Sequence, residues 1–492
     1  MTGNRAQWGA VAALASLTVL RLSIAAATPL SGDEAYYWVW SCALAPGYLD
    51  HPPMVALWIA VGTALVGDSA LGVRLLAPCS ALAGSLLLAG AGTALFPGRG
   101  MGLRAAALFN GTLLLGVGAV TMTPDTPLLL FWTASLWALT RLLRSGDGRW
   151  WLVVGVCAGA AVASKYTGAF LGLGIVLWLA WVPGLRHWFG RWQLWAGGAA
   201  AAAVFAPVVA WNAAHGWASF TKQGGRAGDW NPAAALRHMG ELLAGQVGLA
   251  TPILFVLLAA GLWAAARRAM ARDPAWSLLA AMTLPGLLVF VQHAVGDRVQ
   301  ANWPAIIYPG AALAAAALCG QQWQRLWSPG VVLGLGLTSI VYTQGAFAPF
   351  PLPRRLDPTL IQLGGWDGVA RDMDALRRLH GAGWIASEAY GPASLLAWTA
   401  PPAVPVLAAG DRWSLVRLPP GGPPGPGLLL VSQRHSEPPD PVYWASAELV
   451  GTVRRTRGGR ADGVEAERFR VYRVERRPGA PTVRLPRPGG PA

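Results

Sequence analysis

The sequence predicts an α-helical polytopic membrane protein with about eleven transmembrane helices, followed by a small soluble α/β domain at the C-terminus. Three observations lead to this class. The 492-residue chain is 54% hydrophobic and only 12% charged, whereas soluble domains carry roughly 25% charged residues. Apolar runs long enough to cross about 30 Å of hydrocarbon recur through the first two thirds of the chain. The remaining third is rich in Pro and Arg with interspersed acidic residues, as in a soluble segment.

The apolar runs give a set of predicted spans. In chain order these are 8–29, 70–96, 103–121, 126–143, 150–164, 167–183, 194–211, 246–266, 277–293, 304–320 and 330–348. They define a membrane domain over residues 1–349, with an outer loop at 30–69 that lies along the membrane surface. We expect an α/β domain over 350–477 and a disordered tail over 478–492, because Pro, Gly and Arg dominate that tail.

The predicted soluble domain contains alternating strand and helix patterns. Val369–Leu379 has the spacing of an amphipathic helix, and Pro392–Trp398 is a second short helix. Trp384–Ser387, Leu428–Ser432 and Phe469–Val474 have the short apolar runs that are typical of buried strands.

Arginine placement predicts the orientation of the spans. Arg residues occur in alternate loops, namely Arg99 and Arg104, Arg141, Arg144 and Arg149, Arg186 and Arg191, Arg267, Arg268 and Arg272, and Arg325. Such loops remain on the cytoplasmic side. An odd number of spans then places the C-terminal domain on the periplasmic side of a bacterial inner membrane. A signal peptide cleaved near Ala25 is the alternative for the first apolar segment.

The net charge and the cysteines exclude two other classes of function. The formal net charge is +15, but the basic residues flank apolar runs and do not interleave with aromatics on a polar face, so we expect no nucleic-acid partner. The four cysteines are Cys42, Cys79, Cys157 and Cys319, and they form no CxxC pair. They are interpreted as small core residues and not as metal ligands.

Adjacent carboxylates follow the first span directly. Asp33 and Glu34 precede an aromatic run, Tyr36, Tyr37 and Trp38, at the depth where aromatic residues line a membrane interface. One carboxylate of such a pair can accept a proton from an attacking hydroxyl while the other orients it. The alternative is that both acids only cap an interfacial helix.

A second polar cluster lies in the same loop. Asp50 and His51 precede two prolines. A carboxylate and an imidazole can bind a divalent metal, or phosphate when the imidazole is protonated. Two ligands do not specify a metal site, so these residues are weak metal candidates and no cofactor is required. A turn before an interfacial helix is the alternative.

Four further outer boundaries carry polar groups. Asp125 follows a Thr-Pro pair, and Lys165, one of two lysines in the chain, precedes Tyr166. A lysine at this depth suits a lipid phosphate, although a snorkelling lysine would look the same. His215 and Arg298 lie between tryptophans; Arg298 either contacts phosphate or pairs with its neighbour Asp297.

Taken together, these motifs resemble a known family. Asp33-Glu34-Ala-Tyr-Tyr-Trp, Asp50-His51-Pro-Pro, Thr-Pro-Asp125, Lys165-Tyr-Thr-Gly, Trp-Asn212-Ala-Ala-His215-Gly-Trp and Asn302-Trp-Pro are similar to bacterial members of glycosyltransferase family 39. This family includes relatives of the dolichyl-phosphate-mannose protein mannosyltransferases and of the lipid A aminoarabinose transferase. The resemblance covers about residues 20–400 and implies the GT-C fold, with an outer-facing active site that opens to the bilayer.

The resemblance also implies residue roles. Asp33 matches the first-loop Asp thought to activate the acceptor, and Glu34 is its neighbour. Asp50 and His51 fall where the aminoarabinose transferase has a Glu-Lys pair. The resemblance assigns no role to Lys165, His215 or Arg298, so their roles depend on charge and location.

The expected reaction moves a sugar from a polyprenyl phosphate donor, reached through membrane lipid, to a hydroxyl of a lipid, glycan or protein acceptor. The resemblance implies inversion at the anomeric carbon. Asp33 is the expected base, with Lys165 and Arg298 as candidate cations for the leaving phosphate. The alternative function is a transporter or flippase for a lipid-linked substrate. Such proteins typically have broken helices at the membrane midplane and two structurally similar halves.

Overall fold

The computed structural model describes residues 2–97, 100–224, 232–318, 323–434 and 437–490. Arg99 and Cys319, which entered the arguments above, lie outside the described residues. The chain forms two compact units. The first comprises Met1–Arg21, Leu49–Val55 and Ala77–Ile340, and the second comprises Leu22–Tyr48, Ala56–Leu76 and Val341–Ala492. Most of the first outer loop therefore clusters with the C-terminal domain, a division that the sequence did not predict.

Helices make up most of the described residues before residue 348. Their bounds are α1 Thr2–Ala27, α2 Gly32–Ser41, α3 Met54–Val66, α4 Ala70–Arg74, α5 Leu76–Leu95, α6 Met101–Asn110, α7 Leu113–Gly118, α8 Asp125–Ser145, α9 Trp150–Ser164, α10 Phe170–Trp181, α11 Trp192–Ala214, α12 Ala218–Gly224, α13 Pro232–Ala250, α14 Pro252–Met270, α15 Pro274–Gly296, α16 Ile307–Leu318 and α17 Gln324–Phe347. Short 3-10 turns occupy Tyr166–Ala169, Pro183–Gly190 and Trp303–Ile306.

Several of these helices can cross a membrane, which confirms the polytopic class. By length and composition, seven helices in the described ranges qualify, and an eighth if a pair bent by 117° counts as one span. The seven are Trp8–Ala27, Ala70–Leu95, Asp125–Ser145, Trp192–Ala214, Pro252–Met270, Pro274–Gly296 and Gln324–Phe347. Met54–Val66, Trp150–Ser164 and Trp303–Leu318 are apolar but shorter. The predicted count of eleven is not confirmed.

Two predicted spans are interrupted by local backbone features. The apolar run 103–121 is broken between α6 and α7, where the Thr112 hydroxyl accepts a hydrogen bond from the Leu115 amide at 3.3 Å and caps α7. The run 246–266 is broken at Thr251, whose φ of 71° is incompatible with a continuous helix. Hydropathy does not detect either break, because the interrupting residues are small and only weakly polar.

Small residues allow the helices of the first unit to pack closely. A Cβ atom on Gly155 of α9 would lie 2.0 Å from the carbonyl oxygen of Gly197 on α11. One turn further on, a Cβ on Gly159 would lie 2.6 Å from the carbonyl oxygen of Ala201. Such spacing of small residues lets helix backbones approach in the absence of a hydrophobic driving force.

The C-terminal part of the second unit is a small α/β domain, as predicted. Its elements are α18 Pro358–Gln362, α19 Trp366–Leu379, β1 Trp384–Ser387, α20 Tyr390–Thr399, β2 Val406–Ala409, β3 Gly427–Ser432, β4 Trp444–Thr456, β5 Glu465–Arg476 and β6 Thr482–Arg484. The six strands form one sheet in the order β4-β5-β3-β1-β2-β6. Strand β1 is parallel to β2 and β3, and the other pairs are antiparallel.

The predicted disorder of residues 478–492 is wrong for the described part of this tail. Strand β6 pairs with β2, with Val483 opposite Ala408. The Arg487 guanidinium donates to the carbonyl oxygens of Leu396 at 3.0 Å and Pro401 at 2.9 Å. A segment too polar to form its own core can still complete a sheet edge, because the ladder uses backbone groups.

Asp357, at the start of α18, gives the domain an acid-sensitive contact. Its carboxylate accepts hydrogen bonds from Gln344 at 2.8 Å and from the Thr359 hydroxyl at 2.6 Å, and it pairs with Arg457. Burial raises its pKa, but the bonds from Thr359, Gln344 and Arg457 outweigh burial and hold the pKa below the ordinary value of 3.8. Ionised Asp357 therefore stabilises the folded domain.

This shift predicts the pH dependence of stability. A carboxyl group with a lowered folded-state pKa contributes stability above its unfolded pKa and loses it as pH falls through the folded value. We expect the thermal midpoint of the detergent-solubilised protein to fall below about pH 4, and Asp357→Asn to weaken this acid dependence. The exposed Asp462 offers a control, Asp462→Asn. Equal acid dependence in both variants would contradict the assignment.

Candidate functional site

Glu34 lies in a buried ion pair at the start of α2. Its side chain and that of Arg74 are both fully buried, and the guanidinium contacts the two carboxylate oxygens at 2.6 and 2.7 Å. Arg74 also donates to the carbonyl oxygens of Ala25 at 3.0 Å and Pro29 at 2.9 Å. Glu34 accepts from the Ser31 amide at 3.0 Å and completes a capping box. This geometry holds α2 against the end of α1.

Asp33, in contrast, is exposed. It lies in the first turn of α2, one residue before the buried Glu34. Its carboxylate accepts a hydrogen bond of 2.8 Å from the Tyr390 hydroxyl at the start of α20. The two first-loop acids therefore have different environments, although the sequence places them side by side.

The first unit joins Asp125 to Lys165. Asp125 begins α8, Lys165 follows α9, and each is 9% exposed. The Lys165 ammonium lies 2.7 Å from one carboxylate oxygen, and the Asn302 side-chain amide donates to the other at 2.7 Å. The sequence analysis assigned separate roles to Asp125 and Lys165. For Asn302, the only signal in the sequence is its position directly before Trp303 and Pro304.

A cavity of about 240 Å³ adjoins this cluster. Asp125, Thr126 and Asn302 form its polar wall, and most of its other lining residues are apolar. An apolar cavity with a few converging polar groups is typical of a small-molecule site.

The short helix α12 organises a second cluster in the first unit. The Lys222 ammonium lies 2.8 Å from the Asp50 carboxylate, and the Gln223 side chain donates to the Asp50 carbonyl oxygen at 2.7 Å. One turn earlier on α12, the Ser219 hydroxyl lies 2.7 Å from that of Tyr166. The two lysines of the chain are thus each paired with a predicted outer-loop carboxylate. The sequence analysis missed Lys222.

The weak metal prediction gains no support from this geometry. Within the described ranges, no three His, Cys, Asp or Glu side chains are grouped closely enough to hold an ion. Asp50 faces Lys222, a cation that competes with a metal for its carboxylate. His51 is half-buried and adds one further ligand at most, and two ligands do not specify a metal site.

Two predicted substrate contacts have other partners. The His215 Nδ1 atom lies 2.7 Å from the Trp211 carbonyl oxygen, and its ring stacks on Trp211 at 4.3 Å. Arg298 pairs with Glu241 at 2.9 Å and is 73% exposed. The predicted alternative of an Asp297 salt bridge is not observed, since Asp297 accepts from the Arg298 backbone amide. Both residues therefore have local structural partners.

Comparison with known proteins gives matches of three kinds, namely a family model, a relative and solved structures. The family model described as "Dolichyl-phosphate-mannose-protein mannosyltransferase" matches residues 50–211. A lipid A galacturonosyltransferase, RgtD of Rhizobium johnstonii, is 28% identical over 332 residues, which cover 66% of this chain and 68% of the relative. The structure of ArnT from Cupriavidus metallidurans in the apo state is 15% identical with a TM-score of 0.60, and the match covers 95% of this chain and 98% of ArnT.

The same enzyme in its complex with undecaprenyl phosphate matches with a TM-score of 0.58 at 15% identity, over 94% of this chain and 98% of ArnT. These matches confirm the fold class predicted from the sequence. The family model and the relative agree with the family resemblance that the motifs indicated.

Proposed function

We propose that this chain is a membrane glycosyltransferase of family 39 in the GT-C superfamily. In this proposal it moves a sugar from a polyprenyl phosphate to a lipid acceptor hydroxyl on the periplasmic side, with inversion. The alternating Arg loops support the periplasmic side. The undecaprenyl phosphate bound to ArnT supports the donor class. The lipid A galacturonosyltransferase supports a lipid acceptor and makes a uronic acid the first sugar to test.

The exposed carboxylate of Asp33 carries the catalytic assignment. An acceptor hydroxyl becomes a strong nucleophile when a carboxylate accepts its proton. Its oxygen then forms a bond to the anomeric carbon as the bond from that carbon to the phosphate oxygen breaks. Asp33 is available for this proton because it lies at the surface, whereas the neighbouring Glu34 is fully buried. Glu34 therefore acts through Arg74, by holding the helix that carries Asp33.

The lysine pairs supply the charge that the leaving phosphate requires. An ammonium has three donors, and Asp125 accepts only one from Lys165. The remaining donors can bind phosphate oxygens, while Asp125 and Asn302 fix the position of the lysine. We assign Asp125 this orienting role, since both of its oxygens already accept hydrogen bonds of 2.7 Å. Lys222 is likewise a lysine whose position is held by a carboxylate, that of Asp50, and we assign it as a second phosphate contact.

A transfer assay separates this function from lipid transport. Purified protein in liposomes receives undecaprenyl phosphate carrying a labelled galacturonate, with aminoarabinose as a second donor and lipid A as the acceptor. A glycosyltransferase releases undecaprenyl phosphate and labels lipid A. Movement of the intact labelled donor across the bilayer, without release of undecaprenyl phosphate, would contradict the proposal and support a flippase.

Removal of the Lys165 charge is expected to weaken donor use. A hydrogen bond to a charged group contributes about 1.5 to 3 kcal/mol, so Lys165→Met should raise the donor KM about 10- to 100-fold. The highly exposed Arg149 provides a control, Arg149→Met, which should leave KM unchanged.

Lys165→Met also leaves Asp125 without its cation. The double variant Lys165→Met/Asp125→Asn removes both charges and should recover stability without recovering donor affinity. If the double variant binds donor normally, Lys165 serves only as a partner for Asp125 and its phosphate role is wrong.

A further inference from the structure

A contact within the second unit links Asp33 to the C-terminal domain. The Tyr390 hydroxyl donates a hydrogen bond of 2.8 Å to the Asp33 carboxylate, although the two residues are 357 positions apart in the chain. The contact joins the first turn of α2 to the first residue of α20.

Two close approaches fix the register of α2 against α20. At the helix starts, a Cβ atom on Gly32 would lie only 3.2 Å from the Cα of Gly391, so the backbones meet directly. At the other end, the rings of Trp38 and Trp398 pack edge to face at 4.9 Å. Gly32 and Gly391 are the immediate neighbours of Asp33 and Tyr390. The backbone contact therefore sets the distance between the carboxylate and the phenol.

Aromatic and cationic neighbours hold the Tyr390 ring in place. The ring lies 4.7 Å from that of Tyr36, which is one turn after Asp33 on α2. The Arg412 guanidinium lies 4.5 Å from the centroid of the Tyr390 ring and 5.6 Å from that of Tyr36. Trp413 packs edge-on against Tyr36 at 5.3 Å. A stacked guanidinium and packed rings restrict the phenol to few orientations.

We propose that Tyr390 is a positioning residue for Asp33 and that the C-terminal domain thereby completes the catalytic apparatus. This inference rests on the proposed role of Asp33 as the base. An exposed carboxylate can rotate about two side-chain bonds, and a base must meet the acceptor proton in one orientation. The Tyr390 hydroxyl fixes the carboxylate by holding one of its oxygens. The Arg412 guanidinium, which lies over the Tyr390 ring, helps to hold that ring in place.

Tyr390→Phe tests the role, because it removes the hydroxyl and keeps the packed ring. We expect kcat to fall about 10- to 100-fold with little change in the donor KM, since misplacement of a catalytic group affects turnover. A hydrogen bond to a carboxylate favours its charged form, so its loss should also move the acidic limb of the kcat profile to higher pH. Charged and titratable neighbours of Asp33, including Glu34 and Arg412, remain unchanged in this variant.

Two comparisons separate positioning from a structural role. Tyr472→Phe, in strand β5, is a matched control that should retain normal kcat and pH profile. If Tyr390 acts only through Asp33, the double variant Asp33→Asn/Tyr390→Phe should be no slower than Asp33→Asn alone.

Three outcomes would overturn the inference. The first is a Tyr390→Phe variant with a lower thermal midpoint but unchanged kcat and pH profile. The second is a double variant whose losses multiply. In either case an inactive Asp33→Asn would leave the proposed function intact. The third is normal turnover by Asp33→Asn, which would remove the proposed base and this inference with it.

Discussion

Asp33→Asn is expected to lower turnover by about 10² to 10⁴-fold while the protein still folds, inserts and binds donor. Asparagine has nearly the same size as aspartate and can accept the Tyr390 hydrogen bond, but it cannot take up the acceptor proton. Loss of a helix-capping group would give a different result, namely about 1 kcal/mol of stability and little loss of turnover. The rate of sugar transfer per folded molecule therefore distinguishes the two interpretations of this residue.

Other carboxylates provide the comparison for Asp33→Asn. Asp297 accepts a bond from the next backbone amide, which asparagine can also accept, so Asp297→Asn should be nearly normal. Asp125→Asn should mainly raise the donor KM, because Asp125 orients Lys165. If Asp125→Asn abolishes turnover and Asp33→Asn does not, the base has been assigned to the wrong carboxylate. Normal turnover in both of these variants and in Glu34→Gln would exclude a carboxylate mechanism.

Arg74→Met is expected to destabilise the folded protein by about 3 to 5 kcal/mol, because it leaves the Glu34 charge buried without a partner. The carbonyl oxygens of Ala25 and Pro29 would lose their donor as well. The double variant Arg74→Met/Glu34→Met removes both charges and should be more stable than Arg74→Met alone. Thermal unfolding in detergent measures the difference.

The exposed Arg417 gives a control for this series, since Arg417→Met removes a cation without creating a buried charge. Its thermal midpoint should match that of the wild type. An Arg74→Met protein as stable as Arg417→Met would show that the buried pair does not hold α2, and Glu34 would then need another role.

The membrane class and the strand and helix pattern of the C-terminal domain could be predicted because they depend on local composition. Trp384–Ser387 is an uninterrupted buried strand, and its predicted and observed bounds agree. The membrane span count depended on breaks such as Thr251, where one residue with positive φ divides an apolar run. A hydropathy window averages over such residues and therefore cannot locate them.

The candidate site residues were found in part, but their partners were not. Lys165 pairs with Asp125 across 40 residues, Glu34 with Arg74 across 40, and Asp33 with Tyr390 across 357. Local sequence patterns do not identify the partner of a residue when that partner lies far away in the chain. One signal was present, since Arg74 is a charged residue inside an apolar run, and such residues usually have a specific partner.

The anomeric configuration of the transferred sugar tests the central mechanism most directly. The donor is undecaprenyl phosphate linked to a sugar of known configuration, and NMR of the purified product gives the new linkage. Attack by an acceptor oxygen that has lost its proton to Asp33 inverts the anomeric carbon, so an α-linked donor should give a β-linked product with one undecaprenyl phosphate released per sugar. Retained configuration would require a covalent sugar intermediate and would contradict a single displacement.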